Sequence, residues 1–185
     1  MSSKDNRFRN RNAGVTASAT VKYAGGAATP KASFNRPANV TLYDVGDTVA
    51  NNVAAGSVVP LTFAAAREFA SSFFIQSARL TKTGQNAANA VFWLHLFEEL
   101  PTPVSGDGGP FQSNKAAAYL GGFEFSAMRA FSDGCCAMGV PLQDAPIVVE
   151  LAEGVRTIYG LLEVRGAYAP NNSEKFEVTL GLQQD

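Results

Sequence analysis

One short stretch limits the folds open to this chain more than any other. Val91 to Phe97 is apolar at every position except His95. Read as a strand, it sends Val91, Trp93, His95 and Phe97 to one face and Phe92, Leu94 and Leu96 to the other. A strand with one wet face alternates apolar with polar, whereas this one needs cover on both. One face can be the core of a sandwich. The other must then meet a loop, the chain's own arm or another protein. A preceding strand starts at Phe73, and the polar connector Thr83 to Asn89 joins the two.

The rest of the chain reads as further strands of the same kind. Val40–Tyr43 and Ser57–Phe63 are predicted strands around a polar stretch from Asp44 to Gly56, and Pro60 marks the second as an edge. Ala64 to Phe69 is compatible with either a helical turn or extended chain. Prolines and glycines between Glu98 and Lys115 exclude a long regular element there. Ala117–Phe125 is a predicted strand with Tyr119, Phe123 and Phe125 on one face and a bulge or bend at Gly121–Gly122. Ala127 to Leu142 reads as irregular. Alternation returns at Ile147, Val149 and Leu151, at Ile158, Leu162 and Val164, and most cleanly at Phe176, Val178, Leu180 and Leu182. About eight strands and no long helix predict an all-β fold, a two-sheet antiparallel sandwich of jelly-roll or Greek-key type.

Charge divides the chain in two. Residues 1–38 hold seven basic residues against Asp5 alone, a net of +6, while residues 39–185 hold eight basic and fifteen acidic residues, a net of −7. The first part, rich in Ser, Asn, Ala, Gly and Arg, is predicted to be an extended basic arm ahead of a sandwich domain over 39–185. Its anchors for a partner would be Arg7, Phe8, Arg9, Arg11, Lys22, Tyr23 and Phe34. Arginines interleaved with an aromatic suit phosphate contact and base stacking, and equally an acidic protein surface.

Residues suited to chemistry are sparse. His95 is the only histidine, so a cluster of histidine ligands is excluded, and no Gly-x-Ser-x-Gly elbow accompanies it as the base of a triad. It reads as a buried, hydrogen-bonded side chain. Cys135 and Cys136 are neighbours that cannot cross-link distant parts of a fold, and they suit a reducing cytoplasm. Ser105–Gly109 lacks the Gly-Lys-Ser/Thr ending of a phosphate loop and the acidic spacing of a calcium loop, so it reads as a turn. Glu98 and Glu99 point to opposite faces and form no dyad. No catalytic, cofactor or metal site is predicted, and no enzyme. No apolar run reaches the roughly 20 residues of a membrane-spanning helix, and the N-terminus has no apolar signal core.

Several blocks resemble small virion proteins of tailed bacteriophages, some of which decorate or cement the capsid exterior. They are Ser77-Ala78-Arg79-Leu80-Thr81-Lys82-Thr83-Gly84, Phe92 to Phe97, Pro101-Thr102-Pro103, Gly106-Asp107-Gly108 and Tyr119-Leu120-Gly121. The resemblance spans roughly residues 57–125 and excludes the arm. It implies a β-sandwich on the capsid surface that oligomerises, often as a trimer, and binds the major capsid protein. The doubly apolar strand likewise predicts a homo-oligomer, with Trp93, Phe97, Tyr119 and Phe123 as interface candidates. Two further classes compete. One is a shell-forming coat protein whose arm binds packaged nucleic acid, for which +6 is a modest charge. The other is a carbohydrate-binding or enzymatic sandwich.

Overall fold

Alternation decides which segments become strands. The computed structural model describes residues 26–66 and 72–184. The strands are β1 (Gly26–Ala28), β2 (Lys31–Asn35), β3 (Thr48–Val49), β4 (Leu61–Ala64), β5 (Ser72–Lys82), β6 (Phe92–Phe97) and β7 (Tyr119–Phe125). They continue with β8 (Arg129–Phe131), β9 (Gly134–Met138), β10 (Val140–Pro141), β11 (Ile147–Glu150), β12 (Thr157–Val164) and β13 (Lys175–Gln184). Every pairing among them is antiparallel, and they form two sheets.

The pairings are nested. β2 lies beside β13, β4 beside β12, β5 beside β9 and β6 beside β7. Strands early in the chain thus pair with strands late in it, and the innermost pair is consecutive. The first sheet runs β2–β13–β5–β9 and the second β4–β12–β6–β7, which is the interleaving of a jelly roll. The predicted fold class is the one observed.

The core fills the space between the sheets. Phe92, Leu94 and Leu96 of β6 point into it, with Phe92 edge-on to Tyr168 at 5.3 Å and to Phe176 at 5.4 Å. Phe176, Val178, Leu180 and Leu182 of β13 face inward as their spacing predicts. So do Ile147 and Val149 of β11, and Ile158, Leu162 and Val164 of β12. Three flanks of the sheets are assembled from short pieces. β1 and β2 share one side of β13, β9 and β11 share the far side of β5, and β3 and β4 share the side of β12 away from β6. β4 starts directly after Pro60, the edge position that the missing amide donor predicts.

Four expectations change. Val40–Tyr43 is not a strand: only Tyr43 bridges, to Tyr168, while Val40 and Leu42 are exposed. The edge of β12 they could have joined is already occupied by β3 and β4. Residues 127–142 are not irregular but hold β8, β9 and β10. Tyr119 does not share a face with Phe123 and Phe125. A register shift lets Leu96 and Phe97 oppose Gly121 and Tyr119, with Gly121 at φ +126°, so the tyrosine swings to the outer face. Finally, residues 26–35, assigned to the arm on composition, form β1 and β2 of the sandwich.

Candidate functional site

The outer face of the second sheet gathers most of the polar and aromatic chemistry. β6 presents Trp93 and His95 outward, β12 presents Glu163 between them, and the bulge delivers Tyr119. His95 Nε2 lies 2.8 Å from the Glu163 carboxylate and Nδ1 lies 3.3 Å from the Tyr119 hydroxyl. Arg165 Nη1 donates to the other Glu163 oxygen at 2.8 Å, and its guanidinium sits 4.0 Å above the Trp93 ring. Trp93 Nε1 donates to Glu124 at 3.3 Å.

This face has a roof made by the chain itself. The 98–115 connection turns back so that Phe111 stacks on His95, with ring centroids 4.4 Å apart. Backbone bonds tie the loop to residues 46–52: Thr48 N–H to the Gly109 carbonyl and Phe111 N–H to the Gly46 carbonyl, both 2.7 Å. Gly106 passes so close to Val53 that a Cβ would lie 2.1 Å from its carbonyl oxygen. Of the three covers that the sequence left open for the second face of the central strand, the loop is the one observed.

Electrostatics within the cluster favour an ionised Glu163. Burial pushes its carboxyl up, but the hydrogen bonds from His95 and Arg165, with their charges, outweigh burial and hold it below its ordinary value of 4.5. Burial, followed by the Glu163 charge, pushes the Tyr119 hydroxyl up. A carboxyl whose pKa is depressed by folding adds stability above its unfolded pKa and loses it as pH falls through the folded one. Wild-type protein is therefore expected to lose a component of stability as pH drops below about 4.5, and Glu163→Gln to lack that component. Urea midpoints measured from pH 7 to pH 3 check this. Parallel pH profiles for the two proteins would rule it out.

Two further polar groups are sealed in. Arg36 Nη2 pairs with Asp107 at 2.9 Å, and Tyr43 links both, donating to Asp107 and accepting from Arg36 Nε. Lys82 Nζ pairs with Glu174 at 2.9 Å and also donates to Tyr168 and to the Gly84 and Asn86 carbonyls. Tyr43 and Tyr168 stack between them at 6.1 Å. Burial first, and the neighbouring carboxylates next, push both tyrosine hydroxyls up. These groups fasten the root of β2, the Ser105–Gly109 turn and the Thr83–Asn89 connector. With side chains at most 2% exposed, both pairs are sealed from solvent. Asp107 pins the turn through Arg36 and Tyr43.

The outer face of the first sheet has no such roof among the described residues. Phe74 on β5 lies directly across from Val148 on β11, both exposed. Further along, Arg79 lies between Thr179 and Met138, and Lys31 lies beyond Thr179. Two open grooves run over this face. One, of about 340 Å³, is lined by Lys31, Arg79, Ser77, Thr179 and Met138. The other, of about 320 Å³, is lined by Phe131, Cys136, Thr81, Lys175 and Glu177. Cys135 points inward and is buried, so the two thiols face opposite ways.

The predicted partner residues are dispersed. Arg7, Phe8, Arg9, Arg11, Lys22 and Tyr23 lie outside the described residues. Phe34 is no free anchor: it stacks on Phe176 at 5.7 Å. Among the interface candidates, Phe123 is 0% exposed in the core and Phe97 is 3% exposed, its ring edge against Tyr119, so neither offers a surface. Trp93 is half-buried under Arg165, and only Tyr119 is largely open. Sequence reasoning missed Phe74, Met138 and Val148. The signal for Phe74 and Val148 was an apolar residue on the water-facing register of an alternating strand. No known protein-family model matches the chain, and no curated protein matches it.

Proposed function

We propose that the chain is a structural virion protein that binds the outside of a phage capsid and stabilises it by clamping major capsid subunits. The observation that carries this reading is the contrast between the two sheets. The second lays Phe111 of the chain's own loop over His95 and leaves Tyr119 at its margin, while among the described residues the first leaves Phe74, Val148 and Met138 exposed beside Arg79 and Lys31. Uncovered apolar residues rimmed by charge on an otherwise well-packed domain suit attachment to another protein. The basic arm, with Arg7, Phe8, Arg9 and Arg11, adds a segment suited to acidic side chains of the shell. The blocks that resemble decoration proteins fall on β5 of the first sheet and on β6, β7 and the roof loop, of which the last three are neighbours on the second sheet. In this reading the chain acts as an oligomer, a trimer as its family resemblance implies, and performs no catalysis.

A shell-forming coat protein is the second reading, favoured by the nested eight-strand topology that viral coats share. Protein inventory of purified infectious particles separates the two. A decoration protein accompanies a different, more abundant shell protein, leaves particles when salt is raised and stays through nuclease treatment. Finding the chain as the only shell protein, or released by nuclease, would overturn the first reading.

A further inference from the structure

One sheet edge is longer than its strand boundaries suggest. β1 and β2 keep a single register along β13: Ala28 lies opposite Leu182 and Lys31 opposite Thr179, so the offset does not change across Thr29 and Pro30. Leu180 N–H donates to the Pro30 carbonyl, and Arg36 N–H to the Glu174 carbonyl. By the two-residue repeat of an antiparallel ladder, the even-numbered residues from 26 to 36 turn their backbone groups toward β13. Ala27, Thr29, Lys31, Ser33 and Asn35 therefore point theirs off the edge. The amide that Pro30 lacks is one that would face β13, so the proline does not interrupt the outward row. No described residue pairs with that row.

The seam beneath this edge is unfinished as well. Its inward side chains Ala28, Ala32 and Phe34 are only half-buried, whereas Phe176 and Val178 on the neighbouring strand are sealed. Between β2 and β4 an open groove of about 560 Å³ runs past Ala32, Phe34, Val59 and Leu61, with Val59 exposed.

We propose that this edge pairs with the same edge of a second copy, antiparallel about a two-fold axis at Ala32, joining the two first sheets into one. Charge selects this register. With Ala32 on the axis, Lys31 lies opposite the partner's Ser33, and the next residue along that row is the partner's Glu177. Lys31 is already 3.8 Å from its own Glu177, so each lysine comes to stand between two carboxylates. Glu177 also meets Lys175 at 3.4 Å. Moving the axis to Lys31 sets the two lysines face to face, which is unfavourable. Moving it to Ser33 sets Lys31 against the partner's Asn35, with the partner's Lys175 behind. The chosen register gives four bonded pairs, Thr29 with the partner's Asn35 and Lys31 with the partner's Ser33, each twice by symmetry. On the inward side Phe34 meets the partner's Pro30, and the two Ala32 side chains meet each other across the half-buried seam. Such a self-complementary contact closes at two copies. It also sets both outer faces, with Phe74 and Val148, on the same side of the pair. The inference goes beyond the capsid reading and does not depend on it.

Sedimentation and amide exchange on the full-length chain test it. A dimer is expected at micromolar concentration. Exchange at Thr29, Lys31, Ser33 and Asn35 is expected to slow by roughly tenfold or more as the dimer forms, with β6 amides unchanged. Ser33→Pro removes an outward donor and leaves the β13 ladder whole. It is expected to weaken dimerisation on the order of tenfold while circular dichroism still shows a cooperative melt. In a C136S background, A32C is expected to form a disulfide-linked dimer on oxidation, because facing residues of a non-bonded pair lie about 4.5 Å apart at Cα. A28C, set opposite the partner's Arg36, is expected not to. A monomer at every concentration, or an oligomer that Ser33→Pro leaves intact, would overturn the proposal. So would slow exchange at these amides that does not vary with concentration, which would assign the edge to cover by residues 1–25 of the same chain.

Discussion

Deleting residues 1–38 is expected to unfold the protein, whereas deleting residues 1–25 leaves the sandwich folded. Composition sets the boundary of the arm at residue 38, but the sheet starts at Gly26. The longer deletion strips one side of β13 of both its short neighbours and uncovers Phe176, on which Phe34 stacks. It also removes Arg36 and leaves Asp107 buried without its cation. An uncompensated buried charge alone costs about 3–5 kcal/mol, against a total stability of roughly 5–15 kcal/mol for a domain. Lost strand pairing and exposed core add to that cost. Circular dichroism on heating provides the check: a chain starting at residue 39 that melts cooperatively at the full-length midpoint would refute the expectation.

Lys82→Met should be the most damaging single substitution of a polar residue on β5. Lys82 and Glu174 are both 0% exposed at the side chain, so removing the ammonium strands a carboxylate in the interior. The same change frees the Gly84 and Asn86 carbonyls that the ammonium holds. The expected loss is about 3–5 kcal/mol, a drop of ~10 °C in Tm for a domain of this size. Replacing both partners, Lys82→Met with Glu174→Leu, should recover much of the loss, because well-packed apolar pairs often match buried ion pairs. Urea unfolding of the single and double variants measures the difference. A single variant within 1 kcal/mol of wild type, on the scale of an exposed pair, would show that the pair contributes little.

What could be read in advance follows from where the controlling information lies. β13, β11 and β12 were legible because their own alternation decides both state and face. The doubly apolar β6 was legible as central, and its need for two covers was correct. The identity of the second cover was not, because Phe111 lies fourteen residues past the strand in a loop without periodicity. β9 escaped because Cys135 and Ala137 inside differ little in polarity from Cys136 and Met138 outside. Tyr119 was assigned to the wrong face because one register shift at Gly121 inverts the parity of everything before it. Arg36 read as part of a basic arm, since nothing near it in sequence reveals that Asp107, 71 residues later, neutralises it.

The broken edges of the two sheets bear on how the protein behaves when crowded. A long, straight edge strand is a template on which another molecule's strand can pair, and then another on that, without end. Here β3 and β4 are separated by a loop with a 3₁₀ turn, and β9 and β11 by the excursion through β10. These pieces offer at most five residues of edge each, too short to seed a growing ladder. A jelly roll edged in this way can stand close to many copies of itself without fusing into a continuous sheet.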